Sequence, residues 1–453
     1  MFIIDEAGRN LVYYPHTRRK KMLSYIQAKN FRSIVDATMD LRYGEGKAPN
    51  GYKESPRVAF LKENGCVERL VPCLALFGAN ANGKTNLLRA VAVLQIAVAN
   101  SRIDVRQMYD PNRIVTCPDV TEFALGFVKD SVAYEYAMSY SGAGIASERL
   151  VRDGKVLFSL DGEGRDFRRI ATKMPYTAKA IEEIFKVECC DGDGRWVRPF
   201  LNTLGHRYAG LNAYATTAFG VIARDVHVFI GGTEAGVLPV AVDQLCGVMG
   251  CDQKTALSAI VDVIRKLDVE IKSIDIVERD AAAAMPVNGM EIIRHNNVTM
   301  QETRLFIHSS HENDRKERVV FDFMTQESEG TIRLASVVAY LLCALHRGDQ
   351  IFIDELDRSL HPLLVRAMLA LFQQRTRNTK NAQLVFTTHC TDLLDDEILR
   401  LSEIGIVTKN TALGTKVRRL CDLRRDGEDI RNVSNFRRRY LDGFYSGVPY
   451  PAL

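Results

Sequence analysis

The sequence predicts an α/β fold in which short buried strands alternate with helices around a phosphate-binding loop. Three observations predict it. Residues 78–85, GANANGKT, fit the pattern G-x-x-x-x-G-K-[ST] between an apolar stretch and a helical pattern. Two other short apolar stretches, residues 350–353 and 383–387, end in polar side chains, as strands do at the ligand-binding edge of a parallel sheet. We therefore expect a P-loop NTPase fold.

The loop follows a predicted strand, residues 70–77, and precedes a predicted helix, residues 86–99. Its glycines let backbone N–H groups curl around a phosphate, and the helix N-terminus adds its positive end. Lys84 is expected to reach the β- and γ-phosphates, and the Thr85 hydroxyl is expected to bind Mg²⁺. ATP is favoured over GTP because no N-K-x-D guanine-reading motif lies in a suitable place. The predicted contacts to ATP in this loop are Gly78, Asn80, Asn82, Gly83, Lys84, Thr85 and Asn86.

The bulk composition is that of a large globular protein, with 453 residues of which 46% are hydrophobic and 26% are charged. This length suggests two or three structural units, or one domain that carries an insertion. The net charge of +4 is small for the size, so a basic surface would have to be local.

The ten cysteines include no C-x-x-C pair. Cys189 and Cys190 are adjacent and Cys246 and Cys251 are five apart, which matches neither a zinc site nor a regular disulfide framework. Scattered cysteines of this kind suit a reducing cytosol. The N-terminus lacks a secretory pattern and no run of about 18 apolar residues appears, so we expect a cytoplasmic protein with no membrane span.

The N-terminal third is predicted to be rich in strands. Residues 1–21 are interpreted as an extension whose basic run, residues 18–21, is either solvated or in contact with a phosphate backbone. Residues 22–41 and 120–160 alternate apolar and polar side chains, as paired strands do. Residues 22–166 are therefore predicted to form a β-rich N-terminal lobe that carries the P-loop.

Residues 167–324 change character. Residues 172–185 and 244–267 have apolar side chains at helical spacing, and residues 271–277 are typical of a strand. We interpret the block as a mostly helical insertion between two halves of a nucleotide domain, and we assign it no chemistry. With no acidic partner at ligand spacing, its histidines are more typical of surface or core positions than of metal ligands. They are His206, His227, His295, His308 and His311.

The strand at residues 350–353 ends in Asp354 and Glu355, which is the Walker B pattern. Asp354 would hold Mg²⁺ through water, and Glu355 would orient and deprotonate the attacking water. The alternative is a strand that ends in acidic residues by chance. The strand at residues 383–387 leads to His389, at the edge where ligands bind in such sheets. The predicted catalytic residues are Lys84, Glu355 and His389.

The C-terminal part, residues 325–453, opens with a predicted buried helix over residues 332–345. Ser328 is its expected N-cap, and Ser328 with Gly330 would make a second anion-binding site. A helix of about 15 residues spans roughly 22 Å, so Ser328 lies far from Asp354 of its own chain. It can touch a γ-phosphate only if a second molecule presents it, which implies a head-to-tail homodimer with shared nucleotide sites.

These motifs and their order resemble the ABC-type ATPase heads of chromosome-maintenance (SMC) and recombination proteins, with SEGT at residues 328–331 as a variant of their LSGGQ signature. Four stretches resemble the bacterial AAA/ABC ATPase family related to overcoming-lysogenization-defect (OLD) nucleases: KNFRS at residues 29–33, ESEGT at 327–331, DELDRSLHP at 354–362 and YLDGFYSGVP at 440–449. The resemblance implies an ABC-type ATPase fold, ATP and Mg²⁺ as cofactors, and a homodimer or higher oligomer. It also implies a role in phage defence beside a separate nuclease or toxin.

The resemblance covers residues 22–160 and 325–449, and the chain departs from the OLD nucleases at its end. Those enzymes carry a C-terminal Toprim nuclease domain, whereas only 64 residues follow His389 and no acidic constellation of that kind lies in them. A nuclease is therefore expected on a partner chain. The tail is locally basic, which suits a solvated helix face or a contact with DNA, RNA or an acidic partner. Its arginines are Arg424, Arg425, Arg437, Arg438 and Arg439.

Three functions stay open at this point. The first is a nucleotide-gated sensor or scaffold that controls a separate effector in prokaryotic antiviral defence. The second is a DNA-repair or chromosome-associated ATPase that clamps DNA, although the chain lacks the sustained heptads of a long-armed clamp. The third is a scaffold in which assembly matters more than turnover. The glutamine with which ABC enzymes sense Mg²⁺ is not located, and Gln95 and Gln107 are candidates.

Overall fold

The computed structural model describes most of the chain. The described residues are 21–44, 59–61, 67–115, 117–162, 165–172, 174–231, 238–267, 271–280, 293–295, 302–395, 397–410, 412–426, 435–445 and 447–448. The predicted N-terminal extension lies outside them except for Lys21, and so do the side chains of Arg424 and Arg425.

Eighteen strands are described. They are β1 Lys21–Phe31, β2 Ile34–Asp40, β3 Ala59–Leu61, β4 Val67–Arg69, β5 Cys73–Phe77, β6 Thr121–Lys129, β7 Val132–Ser141, β8 Gly144–Arg152, β9 Lys155–Asp161, β10 Val226–Phe229, β11 Ser273–Asp280, β12 Ile293–His295, β13 Glu302–Glu312, β14 Arg318–Asp322, β15 Gln350–Ile353, β16 Gln383–Thr388, β17 Ile404–Asn410 and β18 Gly414–Arg419.

Eleven α-helices are described. They are α1 Lys84–Ala99, α2 Phe167–Ala171, α3 Ala178–Cys189, α4 Phe200–Gly205, α5 Ala213–Phe219, α6 Leu238–Met249, α7 Gln253–Lys266, α8 Phe323–Gln326, α9 Glu329–Arg347, α10 Pro362–Gln373 and α11 Phe436–Leu441. A π-helical turn, Gly220–Arg224, continues α5.

One mixed sheet of twelve strands organises the first part of the fold, in the order β10-β15-β16-β5-β17-β18-β2-β1-β6-β7-β8-β9. Strands β10, β15, β16, β5 and β17 run parallel. Every residue of β5, β15 and β16 is buried, which is why they read as continuous apolar runs. The register pairs Ile353 with Phe386, and Thr388 with Phe77. Strands β15, β16 and β5 therefore end at the same edge of the sheet. The residues that follow them are Asp354, His389 and Gly78.

The other half of the sheet is an antiparallel meander from β1 to β9. Its strands alternate buried and exposed side chains, as the sequence pattern predicts. Tight turns with left-handed residues connect them, at Asp130 and Ser131 between β6 and β7 and at Asp153 and Gly154 between β8 and β9. The predicted α/β fold with a P-loop and a β-rich N-terminal lobe is confirmed.

The described chain divides into two compact units. Unit 1 comprises Met1–Ile230, Gly348–Leu356 and Met368–Leu453, and unit 2 comprises Gly231–Arg347 and Asp357–Ala367. The large sheet belongs to unit 1, including β10 from the region interpreted as an insertion. The predicted domain boundaries, 1–21, 22–166, 167–324 and 325–453, stay a prediction.

Unit 2 combines helices with a small antiparallel sheet. Helices α6 and α7 pack against α9. Strand β11 pairs with β13, which in turn pairs with β12 and β14. The single helical pattern at residues 244–267 is divided between α6 and α7, because Gly250 adopts a left-handed φ of +64° between them.

Helix α9 is the buried helix predicted from its apolar sequence. Within the described residues it alone is long and apolar enough to cross a membrane by length and composition, with a mean hydropathy of 1.2. However, 72% of that stretch is buried inside the protein, and core helices pass the same test.

Candidate functional site

The predicted phosphate-binding loop connects β5 to α1 in unit 1, and its backbone requires glycine at two positions. Gly83 has a φ of +96°, and a Cβ there would lie 2.2 Å from the Thr415 hydroxyl. A Cβ on Gly78 would lie 2.5 Å from the Val407 carbonyl oxygen of β17. Ala81 also adopts a left-handed φ of +63°. The loop is therefore packed tightly against its own sheet.

Lys84 begins α1, and its ammonium group is held by the loop itself. Nζ donates to the carbonyl oxygens of Gly78 at 2.7 Å and Ala79 at 3.1 Å. The residue is only 6% exposed, so the methylene chain lies within the fold while the charge lies at the loop. A bound phosphate would offer this ammonium group stronger, charged acceptors.

The Walker B carboxylate is hydrogen-bonded to the P-loop. The Thr85 hydroxyl donates to Asp354 Oδ2 at 2.8 Å, and the Thr387 hydroxyl donates to Asp354 Oδ1 at 2.6 Å. Asp354 is 5% exposed. The structure thus places together Thr85 and Asp354, the two residues predicted to hold Mg²⁺. A carboxylate and a hydroxyl are hard oxygen donors, and they fit Mg²⁺, which takes few protein ligands and keeps several waters.

Glu355 turns sharply out of β15. Its φ is +50°, a left-handed conformation that is uncommon outside glycine, and its N–H donates to the Thr387 hydroxyl at 2.7 Å. Leu356 N–H then donates to the Thr387 carbonyl at 3.1 Å. Two hydrogen bonds to one residue of β16 therefore fix the backbone that presents Glu355, which is partly exposed.

His389 follows β16 directly and is exposed. The next residue is anchored, because Cys390 N–H donates to the Thr388 hydroxyl at 2.9 Å. Since β16 lies between β15 and β5, His389 leaves the sheet between the Walker B residues and Gly78. Its predicted catalytic role stays a prediction, although its position at this sheet edge is the expected one.

A polar chain that the sequence analysis did not predict supports the loop from the side of β2. Asn86 Nδ2 donates to the Ser33 hydroxyl at 2.8 Å, and that hydroxyl lies 2.8 Å from the Thr415 hydroxyl. Thr415 donates in turn to the Asn82 carbonyl at 2.9 Å. Arg32 Nη1 donates to Asn86 Oδ1 at 3.3 Å. The signal was present in KNFRS, which had been given no chemical role.

The two asparagines of the loop differ in what they contact. Asn82 Nδ2 donates to the Val407 carbonyl at 3.0 Å, so this side chain fastens the loop to β17. Asn80 is exposed at the tip.

The C-terminal segment also reaches the loop, because Ala79 N–H donates to the Gly447 carbonyl at 2.6 Å. The Tyr440 ring packs edge-on against Phe77, with 6.4 Å between ring centroids.

Ser328 and Gly330 lie in unit 2, at the start of α9. The Thr331 N–H donates to the exposed Ser328 hydroxyl at 3.1 Å, which is the predicted N-cap. A Cβ on Gly330 would lie 2.5 Å from the Ser359 carbonyl oxygen. Arg333 is 2% exposed, and its Nη1 donates to the Arg358 carbonyl at 2.6 Å. Within unit 2, the start of α9 is therefore tied to the loop that follows Walker B.

Two of the predicted surface or core histidines have carboxylate partners. His227 Nε2 lies 3.0 Å from Asp349 Oδ2, and His311 Nε2 lies 2.5 Å from Glu327 Oε1. In the part of the chain that the structure describes, no group of three or more His, Cys, Asp or Glu residues could hold a metal ion.

Neither candidate for the Mg²⁺-sensing glutamine is assigned by the geometry. Gln95 Nε2 donates to the Ala223 carbonyl at 2.9 Å, and Gln107 is exposed on a short 3₁₀ helix. The position of that glutamine therefore stays open.

Residues 257–395 match the family model described as "AAA domain, putative AbiEii toxin, Type IV TA system". The matched segment begins inside the region interpreted as an insertion and includes the Ser328 element, Walker B and His389. It does not include the P-loop. No curated protein sequence matches the chain.

Solved structures resemble the chain over most of its length, with low identity. The SMC head domain from Thermotoga maritima is 12% identical, with 88% of this chain and 98% of that chain covered and a TM-score of 0.40. An Smc head domain bound to the C-terminal domain of ScpA derived from Pyrococcus furiosus is 10% identical, with 91% and 100% covered and a TM-score of 0.40. The recombination mediator protein RecF with ATP is 12% identical, with 88% and 99% covered and a TM-score of 0.38. Likeness at this level carries no information about the activity of this chain.

Proposed function

We propose that the chain is a Mg²⁺-dependent ATPase of the ABC type that works as a nucleotide-gated switch. The observation that carries the proposal is the 2.8 Å hydrogen bond between Thr85 of the P-loop and Asp354 of Walker B. Thr85 and Asp354 are 269 positions apart in sequence, and their side chains meet, as they must if both are to bind one metal ion. The AAA domain match over residues 257–395 supports the same proposal.

Each residue of the site has a separate task. Lys84 and the backbone N–H groups of the P-loop would bind the phosphates, and Thr85 and Asp354 would hold Mg²⁺, which would supply positive charge to the phosphate oxygens. Glu355 orients the attacking water and accepts its proton. His389 lies at the same edge and contacts the γ-phosphate. Thr387 fixes Asp354 and Glu355 relative to each other.

We propose that Ser328 and Gly330 complete the nucleotide site of a second copy. Their helix, α9, has 19 residues and is about 28 Å long, so Ser328 lies far from the opposite helix end. Its exposed hydroxyl at the start of α9 suits a phosphate presented from outside the chain. ATP would then hold a homodimer, alone or within a higher oligomer.

The switch is proposed to control a separate nuclease or toxin in cytoplasmic antiviral defence. The resemblance to OLD-related ATPases supports this, and the matched family is described by a toxin of a toxin–antitoxin system. The alternative is a DNA-repair or chromosome-associated ATPase that clamps DNA. The observation that favours it is basic α11, which carries Arg437, Arg438 and Arg439 and packs beside the P-loop strand.

ATP binding and turnover test the proposed function. Lys84→Ala should weaken ATP binding by about 10- to 100-fold, because a charge-assisted contact is lost. Lys155→Ala, an exposed lysine in the β8–β9 hairpin, is the matched control and should bind normally. Undiminished ATP affinity in Lys84→Ala would refute the P-loop assignment.

Turnover distinguishes the catalytic role of Walker B from a structural one. Glu355→Gln should bind ATP normally but hydrolyse it about 10²- to 10⁴-fold more slowly, because the general base is lost. Stimulation of wild-type turnover by double-stranded DNA would favour the DNA-clamping alternative. Stimulation by a co-expressed nuclease or toxin, with none by DNA, would favour the defence switch.

A further inference from the structure

Cys246 and Cys251 lie on either side of the turn between α6 and α7, wholly within unit 2. Gly250 follows the helix at a φ of +64°. The N–H groups of Gly250 and Cys251 both donate to the Cys246 carbonyl, at 2.8 and 3.2 Å. A bond that reaches from the second residue beyond the helix to its last turn is the Schellman type of helix end. In that motif the side chains of the two bonded residues frequently contact each other.

The two half-buried cysteines are brought together by this backbone geometry. A disulfide needs Cα atoms within about 4.4–6.8 Å and side chains that converge. The bond from the Cys251 N–H to the Cys246 carbonyl joins the two backbones directly. The two thiols also lie close enough that each shifts the pKa of the other.

We propose that Cys246 and Cys251 are an oxidation site that closes into an intramolecular disulfide when a hydroperoxide is the oxidant. The first thiolate attacks the peroxide O–O bond, which gives a sulfenic acid and, from hydrogen peroxide, one water. The second thiolate then attacks the sulfenic sulfur, which forms the S–S bond and releases a second water. One peroxide is reduced by two electrons and two thiols are oxidised, so the reaction balances.

The pKa of both thiols lies above its ordinary value. Burial is the main cause, and the Asp252 carboxylate raises the pKa of both thiols further, while Asp243 does so at Cys246. Because the thiolate is the reacting form, oxidation should be slow at neutral pH and faster in alkaline solution.

The cross-link would tie the last turn of α6 to the start of α7. Helix α6 packs against α9, and the Cys343 thiol of α9 donates to the Ala241 carbonyl of α6 at 3.5 Å. The disulfide would therefore stiffen the support of α9, the helix that Ser328 caps. Any effect on turnover rests on the proposed function, whereas formation of the cross-link does not.

Peptide mapping of the full chain under non-reducing conditions tests the proposal. Incubation with hydrogen peroxide should join Cys246 to Cys251, with the loss of two hydrogen atoms from the peptide that carries them. Cys246→Ser and Cys251→Ser should abolish this product, and Cys117→Ser, a half-buried cysteine elsewhere, should not. If both thiols stay reduced, stop at sulfenic acid or pair with other cysteines, the proposal is wrong, whatever the ATPase assays show.

Two glycine variants test whether the helix end is the cause. Gly250→Ala places a side chain at a left-handed φ and should slow cross-linking by roughly 5- to 10-fold. Gly247 lies inside α6, where a Cβ meets nothing within 4 Å, so Gly247→Ala should cross-link at the wild-type rate. Circular dichroism checks that both variants are folded. Equal rates in Gly250→Ala and the wild type would overturn the geometric explanation.

Discussion

Thr387 is the residue that connects the two carboxylates of the candidate site. Its hydroxyl donates to Asp354 and accepts from the Glu355 N–H. The sequence placed it only as the end of an apolar strand. Its role depends on the lateral spacing between β15 and β16, which no pattern along the chain encodes. By contrast, Lys84, Thr85 and Asp354 can be located from the sequence, because the loop and the strand that carry them have recognisable patterns; their roles in binding stay predictions.

Thr387→Val should lower turnover about tenfold while ATP affinity changes little, because the backbone of Glu355 loses its acceptor. It should also cost about 1–3 kcal/mol of stability, since the part-buried Glu355 N–H and the buried Asp354 carboxylate each lose their hydrogen bond to Thr387. Thr121→Val is a suitable control, because Thr121 is equally buried and its hydroxyl donates to the Asn30 carbonyl rather than to either carboxylate of the site. Steady-state kinetics should show a defect in Thr387→Val alone; equal defects would mean a general loss of stability.

Glu148 is a second residue whose role the sequence analysis did not predict. It shares the inward face of β8 with Leu150 and is fully buried. Its carboxylate accepts from the N–H groups of Phe200 and Leu201 at 2.7 and 2.8 Å, and from the Tyr136 hydroxyl at 2.9 Å. It therefore anchors the start of α4. A charged residue at an inward position of an alternating strand was the available signal.

Stability should depend on pH through Glu148. Burial raises the pKa of Glu148 from 4.5 to about 7, although its three donors favour the charged form. The folded chain therefore holds the proton more tightly than the unfolded chain. Protonated Glu148 contributes at most about 3 kcal/mol to the free energy of unfolding. This contribution is complete below pH 4.5 and is lost as the pH rises to about 7.

Denaturant unfolding between pH 5 and pH 8 measures this contribution. Glu148→Gln should remove it from the pH profile and cost about 1–3 kcal/mol at low pH, because the amide cannot accept from both backbone donors. The exposed Glu122, paired with Lys29 at 2.9 Å, provides a control in Glu122→Gln that keeps the wild-type profile. An unchanged profile in Glu148→Gln would show that another group titrates.

At the scale of elements, the P-loop packs against β18 and the turn between β1 and β2, which carry Thr415 and Ser33. Gly83→Ala should cost about 1–2 kcal/mol for the left-handed backbone alone, and its Cβ would also displace the hydroxyls of Ser33 and Thr415. We expect a lower melting temperature and much weaker ATP binding. Gly142→Ala lies in a hairpin where the nearest atom is 3.6 Å away, and it should be neutral in both assays. Normal ATP binding by Gly83→Ala would contradict the described packing.

The elements differ in how far the sequence could predict them. Strands β5, β15 and β16 were predictable because strands buried on both faces read as apolar runs. Strand β10 was not, because its four residues, VHVF, stand among helical patterns and its identity depends on pairing with β15. The division between α6 and α7 depends on one left-handed glycine, Gly250, inside a continuous helical spacing.

At the scale of the whole molecule, the central claim is a nucleotide site completed by two chains. One chain contains the P-loop, Walker B and His389 in unit 1 and the Ser328 element in unit 2. The order of these motifs along the sequence was predictable. The sequence analysis predicts the homodimer from the distance between Ser328 and Asp354 along one chain, and the homodimer stays a prediction because it depends on a contact between two copies.

The most direct test is the molar mass of the Glu355→Gln chain, measured by light scattering with and without ATP and Mg²⁺. Glu355→Gln should bind ATP without hydrolysing it, so the mass should double when ATP is added. The double variant Glu355→Gln/Ser328→Arg should bind ATP equally well and keep its nucleotide-free mass, because the arginine blocks the surface offered to the partner's phosphate. An ATP-dependent dimer that forms equally well in the double variant, or no change of mass in either, would contradict the shared site.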